Sequence, residues 1–260
     1  MSFMKEIKEK IRQRYAKIAL SGNTDSCCMP GSECCSKDGS TQQALLTVGY
    51  NKKDLESIPQ SSILGVGCGA PLNFANLREG EIVVDLGSGA GIDAFLASRQ
   101  VLDFGKVFGI DFTDDMLEKA TTAAKQNGFT NVEFRKGDIE SKIPIEDHSA
   151  DAVISNCVIN LTTHKVKAFE EVYRILKKGG KGRIAISDLI TSKEVHGDAV
   201  NPDKWCSCID GALTKENYIN SIKEAGFQDV KVLSEQVYMN EIQTNGRKIT
   251  SIVVGAVTGK

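Results

Sequence analysis

At 260 residues, 41% apolar and 25% charged, the chain is long enough to bury a full core in one domain and has the make-up of a soluble globular protein. A net charge of −2 leaves no electrostatic case for nucleic acid or an anionic membrane surface as a partner. No apolar run is long enough to span a bilayer, and the opening MSFMKEIKEK is charged and amphipathic, unlike an export signal. The cytoplasm is therefore the expected compartment, where eight cysteines are expected to serve binding or catalysis instead of structural disulfides.

Residues 4 to about 18 alternate as a helix, with Ile7, Ile11, Tyr15 and Ile18 on one stripe. The next stretch, SGNTDSCCMPGSECCSKDGS, reads as a loop that carries Cys27, Cys28, Cys34 and Cys35 as two adjacent pairs. Their spacing is not that of a zinc knuckle; such thiols suit capture of a soft ion or thiol–disulfide exchange, or have no essential role. Residues 1–50 thus form an N-terminal extension to a domain spanning 51–260. Short helices are expected over 41–60, with Tyr50 at their junction. In SSILGVGCGAPLNF, Cys68 stands between Gly67 and Gly69, which places it on exposed, flexible backbone. It precedes the first strand by about a dozen residues, close enough to lie over the strand's carboxyl end, where ligands of open α/β sheets bind.

EIVVDLGSGAG, residues 81–91, reads as strand, glycine turn and helix start, the opening of a nucleotide-binding βα unit. Gly87, Gly89 and Gly91 let the chain turn tightly and let a ligand approach bare backbone. The next strand, KVFGID, ends at Asp111, twenty residues past Gly91, where a carboxylate accepts from both ribose hydroxyls. The G-x-G-x-G pattern is tighter than the G-x-G-x-x-G of pyrophosphate binders and points to S-adenosylmethionine over a nicotinamide. The competing reading is an ordinary helix-cap turn. A helix over 114–127 follows Thr113 as N-cap and carries Met116, beside the expected adenine or simply in the core. NVEFRKGD ends at Asp138, placed to accept from an exocyclic amine or to cap a turn.

ADAVISNC delivers Asn156 and Cys157 to a strand's carboxyl end, a signal of a site. A helix over 164–177 and the strand GRIAISDLI come next. Residues 191–214 interrupt the alternation with an insertion, a lid or substrate wall, that holds Trp205, Cys206 and Cys208. A helix over 215–225 and two last strands complete an α/β fold with seven strands and helices on both faces. Cys68, Cys157 and Cys208 fall on segments that such a fold brings to one end of the sheet. Three thiols without a histidine or carboxylate partner suit a thiophilic, three-coordinate element. Trivalent arsenic fits; zinc wants a fourth ligand. His148, His164 and His196 read as solvated surface residues.

The segments DLGSGAGID, GIDFTDDMLEKA, ISNCVINL and WCSCIDGAL together resemble the arsenite S-adenosylmethionine methyltransferases, from about Tyr50 to the last strand. The resemblance implies a class I methyltransferase fold, with arsenite or methylarsenite held by Cys68, Cys157 and Cys208 as the catalytic set. It also implies a cofactor wall of Tyr50, Asp85, Gly87, Ser88, Gly89, Gly91, Asp111, Met116, Asp138, Ile139 and Asn156. A further N-terminal cysteine joins a disulfide relay in such enzymes; spacing does not choose among Cys27, Cys28, Cys34 and Cys35. Thioredoxin or glutathione is the implied reductant, and a monomer is expected. Two departures stand out: longer family members carry an extra C-terminal domain, and Cys206 occupies a position where relatives often have another residue. Two other readings stay open, a methyltransferase for an organic small molecule with merely buried cysteines, and a thiol-rich metalloid-sequestering protein.

Overall fold

The computed structural model describes residues 3–21, 41–242, 244 and 246–259. The paired cysteines Cys27, Cys28, Cys34 and Cys35, on which the disulfide relay was placed, lie outside the described residues. Seven strands form one sheet in the order β3-β2-β1-β4-β5-β7-β6. They are β1 (Ile82–Leu86), β2 (Lys106–Asp111), β3 (Val132–Lys136), β4 (Ala152–Asn156), β5 (Arg183–Thr191), β6 (Phe227–Met239) and β7 (Ile249–Thr258). The first five run parallel, whereas β7 pairs antiparallel with β5 and β6 antiparallel with β7. This is the class I S-adenosylmethionine-dependent methyltransferase arrangement.

The central strands are apolar on both faces because helices cover both. In β1, Val84 and Leu86 face one core with Phe169 and Val172 of α7 (Lys165–Ile175) and Tyr218 and Ile222 of α9 (Lys215–Glu224). Val83 points the other way, into a core with Phe95 and Ala97 of α5 (Ile92–Val101), as the twofold alternation of a strand requires. The strand order reverses between β1 and β4, so the crevice beyond their carboxyl ends is the place where a sheet of this kind takes its ligand.

Three further pieces pack against this body, and residues of the first two line the crevice. The first is α1 (Phe3–Ser21), which packs on α6 (Asp114–Gln126) and on α8 (Pro202–Trp205). Its stripe is buried as the periodicity predicts: Ile7 and Ile11 against Cys206 and Trp205, Ile18 and Tyr15 against Met116 and Leu64. The second is the run through α2 (Thr41–Thr47), α3 (Lys52–Glu56) and α4 (Leu72–Ala75), which carries Cys68. The third is the insertion with α8, fixed at both ends. Asn201 caps α8 through the amides of Asp203 and Lys204, and Asp210 accepts from the Asn201 amide (2.8 Å) and from Arg247 (2.6 Å). Among the described residues, no helix is long and apolar enough to cross a membrane.

Candidate active site

The glycine turn leaves β1 as predicted. Gly87 has φ +63°, and a Cβ there would lie 2.3 Å from Val158 Cγ2, so only glycine fits. At Gly89 (φ +52°) the space is open, with Met116 Sδ at 3.8 Å, which leaves bare backbone facing the cavity. Asp85, Gly87, Ser88, Gly89, Asp111, Met116, Asp138, Ile139 and Asn156 all line one cavity at the crevice. Two members of the predicted cofactor wall do not. Gly91 is the α5 N-cap, and its missing Cβ makes room for Phe134 and Phe95 behind the turn. Tyr50 is buried behind the wall, where its hydroxyl donates to Asp93 (2.9 Å) and accepts from Asn156 Nδ2 (2.9 Å).

Asp111 stitches the site together. One carboxylate oxygen accepts from the Gly89 amide (2.9 Å) and the other from the Thr113 amide (2.8 Å), and each oxygen keeps a lone pair for a ligand hydroxyl. Thr113 stands at the α6 N-cap, but its side chain makes no capping bond there; the aspartate does the satisfying. Asp138 does not meet the cavity as a free acceptor. Lys8 of α1 bridges it and Glu140, at 2.7 Å to each. Met116 is fully buried and serves the α1–α6 packing as well as the cavity wall.

The acids of the crevice are held away from their ordinary ionisation. Burial, then the neighbouring charges of Asp93 and Asp111, raises the Asp85 carboxyl well above the usual range. Burial also lifts Asp93 to about 6, against the lowering effect of hydrogen bonds from Tyr50 and Asn156. Asp85 Oδ2, Ser88 Oγ and Thr113 Oγ1 are buried, line the cavity, and have no hydrogen-bond partner among the described residues.

Next to this cavity lies a second cluster. Cys157 follows β4 directly, its amide donating to Ser187 O of β5 (2.8 Å), and it lines the cavity wall. The neighbouring thiols of Cys208 and Cys68, with burial, push its thiol well above the ordinary thiol range. Cys208 Sγ donates to Cys157 O at 3.0 Å. Cys157 (φ +61°) and Cys208 (φ +63°) both hold left-handed backbone, unusual for a residue with a Cβ. Such conformations cost on the order of 1–3 kcal/mol and gather at functional sites.

Cys68 differs from the exposed, flexible position expected of it. It is 2% exposed, with a thiol raised chiefly by burial. Its flanking glycines press the loop down instead of loosening it: a Cβ on Gly69 would fall 2.1 Å from Ser187 Oγ. The Cys68 carbonyl accepts from Ser251 Oγ (2.6 Å) and its amide donates to Asn156 Oδ1 (3.0 Å). Cys68 Sγ, Cys157 Sγ and a carboxylate oxygen of Asp188 lie within 4.8 Å of one another. Asp188, fully buried, accepts from Tyr218 (3.2 Å) and the Asn160 amide (3.0 Å), and burial lifts it to about 7. Lys165, lowered by burial to about 8, is its charge partner. His148, His164 and His196 are exposed, as expected.

A family model described as a methyltransferase domain matches residues 77–226. An arsenite methyltransferase of Halobacterium salinarum is 40% identical over 234 residues, which cover 87% of this chain and 59% of that protein. One from Aquipseudomonas alcaligenes is 33% identical over 237 residues, 88% of this chain and 64% of that protein. The crystal structure of an arsenic(III) S-adenosylmethionine methyltransferase from Chlamydomonas reinhardtii matches with a TM-score of 0.64 at 31% identity, over 83% of this chain and 73% of that one. The chain belongs to the arsenite methyltransferase family.

As a member of that family it spans less than two thirds of the length of these two curated relatives. The cavity's unpaired groups fit the S-adenosylmethionine that a class I methyltransferase uses. A zwitterionic, cationic adenosine derivative brings donors for Asp85 and hydrogen-bonding groups for Ser88 and Thr113, whose burial unpaired is otherwise costly. Sequence reasoning missed Asp93, although an acid in the first turn of the helix after a glycine turn was a readable signal. It also missed Lys8, Glu140, Asp188 and Lys165, whose partners lie far away in the chain and left no local pattern. Cys206 is buried against Ile7 and Ile11 of α1 and does not line the cavity.

Proposed function

We propose that this chain methylates trivalent arsenic, with Cys68, Cys157 and Cys208 as the arsenic-binding thiols and S-adenosylmethionine as methyl donor. The observation that carries the reading is Cys157: its sulfur lies within 4.8 Å of Cys68 Sγ, its carbonyl accepts from Cys208 Sγ at 3.0 Å, and the residue lines the cavity of the unpaired Asp85 oxygen. S-adenosylmethionine in that cavity supplies a methyl group already activated on a cationic sulfur. Asp85 would accept from its amino group, Asp111 from its ribose, and the glycine turn would give it backbone to lie against.

The cysteine site is built for a neutral substrate. The raised thiols of Cys68 and Cys157 are protonated at neutral pH. Arsenous acid is also uncharged, so each sulfur–arsenic bond that forms releases one arsenic hydroxyl, which leaves as water with the thiol proton. Three exchanges put a neutral tris-thiolate in a buried place without burying net charge, which would be costly. The bound arsenic keeps its lone pair, so no general base is needed, and the task of the three thiols is orientation. Holding reacting atoms in line supplies up to about 7–11 kcal/mol in ideal systems. Transfer forms an arsenic–carbon bond, breaks the donor's sulfur–carbon bond and takes arsenic formally to the pentavalent state. Two thiols then return two electrons, leaving a disulfide that thioredoxin or glutathione reopens. The substrates are arsenite and methylarsenite, and the chain acts as a monomer in the cytoplasm.

The reading is tested by replacing Cys157 or Cys208 with Ser and measuring arsenite methylation and S-adenosylmethionine binding separately. Lost methylation with retained cofactor binding is expected. Unchanged methylation in either variant removes that cysteine from the site.

A further inference from the structure

Asn156 was read from sequence as a cofactor contact, yet every polar atom of its side chain is already committed. Oδ1 accepts from the Cys68 amide at 3.0 Å, and Nδ2 donates to the Gly69 carbonyl at 2.7 Å and to Tyr50 Oη at 2.9 Å, with Asp93 Oδ2 at 3.3 Å. The amide orientation follows from the partners: a flipped group would set NH₂ against the Cys68 N–H and oxygen against the Gly69 carbonyl. Asn156 therefore grips the Cys68 loop by a donor and an acceptor on successive residues. Gly67 lets it come that close, since a Cβ there would sit 3.0 Å from Asn156 Nδ2. The same residue precedes Cys157 in sequence, lines the cavity itself, and holds Asp93 there.

Resting on the arsenic-binding reading above, we infer that Asn156 is the positioning residue for Cys68: its side-chain amide clamps the Cys68–Gly69 backbone so that the third thiol meets the two delivered by Cys157 and Cys208. Cys157 and Cys208 are placed by their own backbones, next to β4 and in the insertion, and do not depend on this clamp. The clamp therefore governs three-thiol capture and leaves two-thiol capture alone. Arsenite has three exchangeable hydroxyls and uses all three thiols; methylarsenite has two and needs only the pair.

The experiment uses the full chain kept reduced with a phosphine. Arsenite, methylarsenite and S-adenosylmethionine affinities are measured by equilibrium dialysis, and KM and kcat are measured with each arsenical. In Asn156→Ala, arsenite affinity is expected to fall about 10- to 100-fold, the usual cost of losing a ligand-orienting partner. KM for arsenite should rise with it, while methylarsenite affinity stays within about threefold, less than one lost hydrogen bond; the readout is the ratio of the two arsenical affinities, since Asn156 also lines the S-adenosylmethionine cavity and holds Asp93. If the alanine variant fails to fold, Asn156→Ser carries the test. Its hydroxyl is too short to span both the Cys68 amide and the Gly69 carbonyl, so arsenite affinity should still fall about 3- to 10-fold, methylarsenite again being spared. A loss shared equally by both arsenicals overturns the inference. Cys68→Ser run in parallel separates the two levels. Wild-type arsenite affinity in Cys68→Ser sinks the three-thiol reading itself; weakened affinity there with an unaffected Asn156→Ala sinks only the clamp.

Discussion

The two halves of the crevice reach function by opposite routes. On the side of β1 and β2, the backbone is glycine-rich and the tension sits in side chains: Asp85 Oδ2, Ser88 Oγ and Thr113 Oγ1 are buried without partners, and Asp85 and Asp93 are pushed towards their neutral forms. On the side of β4 and the insertion, Asn156, Asp188 and Asp210 have partners while Asn160 Oδ1 and Arg247 Nη1 do not, and left-handed main chain is added at Cys157 and Cys208. The difference matches the two proposed ligands. A polar cofactor supplies the missing hydrogen bonds when it arrives. A metalloid supplies none and asks only that sulfur atoms be aimed.

If the halves are separable in this way, single substitutions should damage one and spare the other. The largest effect is expected at the thiols, where Cys157→Ser or Cys208→Ser removes a proposed bond to arsenic. Arsenite methylation should drop at least about 100-fold while S-adenosylmethionine binding, followed by calorimetry, is unchanged. The mirror experiment is Asp85→Asn. It should weaken S-adenosylmethionine about 10-fold or more, the cost of a lost charge-assisted contact, with arsenite binding retained. If either variant injures both ligands alike, the comparison breaks.

A smaller effect concerns pH. Asp93 (about 6) and Asp188 (about 7) have folded pKa values raised from 3.8 by burial. Between pH 4 and 7 the folded protein therefore binds more protons than the unfolded chain, and stability falls as pH rises through that window. The melting temperature of the free protein should be higher at pH 5 than at pH 7.5 if these groups dominate, and Asp85→Asn should lessen the decline. A cofactor cation beside Asp85 and Asp93 opposes it too, so saturating S-adenosylmethionine should raise the melting temperature more at pH 7.5 than at pH 5. An equal rise at both would place the cation elsewhere. The smallest effect is at Lys8. Its ion pair with Asp138 is partly exposed, and the buried Glu140 keeps hydrogen bonds from the Thr163 and His164 amides, so Lys8→Ala should cost about 1 kcal/mol of stability in a denaturant titration.

What could be read from the sequence follows from how local each signal is. The seven strands and the glycine turn were legible because each is written in consecutive residues, apolar runs followed by Gly87 and Gly89. Cys157 was legible as a residue of the crevice because it directly follows β4, and it lines the cavity. Cys68 was mislocated because glycine on both sides signals freedom only when nothing is packed against it. Here the missing Cβ atoms admit Ser187 and Asn156, from strands more than 80 residues away in the chain. Tyr50 and Asp93 form a pair across 43 residues, and Lys8 reaches Asp138 across 130; no local pattern encodes either contact.

The left-handed turns at Cys157 and Cys208 have a further implication. Glycine would occupy both places at less conformational cost than any residue with a side chain. A selection for heat resistance alone, blind to arsenic, should drift towards Gly at these two positions and return a sturdier, inert protein. On the proposed function the two sulfur atoms are kept at the expense of robustness, and their replacement by glycine would mark a chain that no longer needs to bind arsenic.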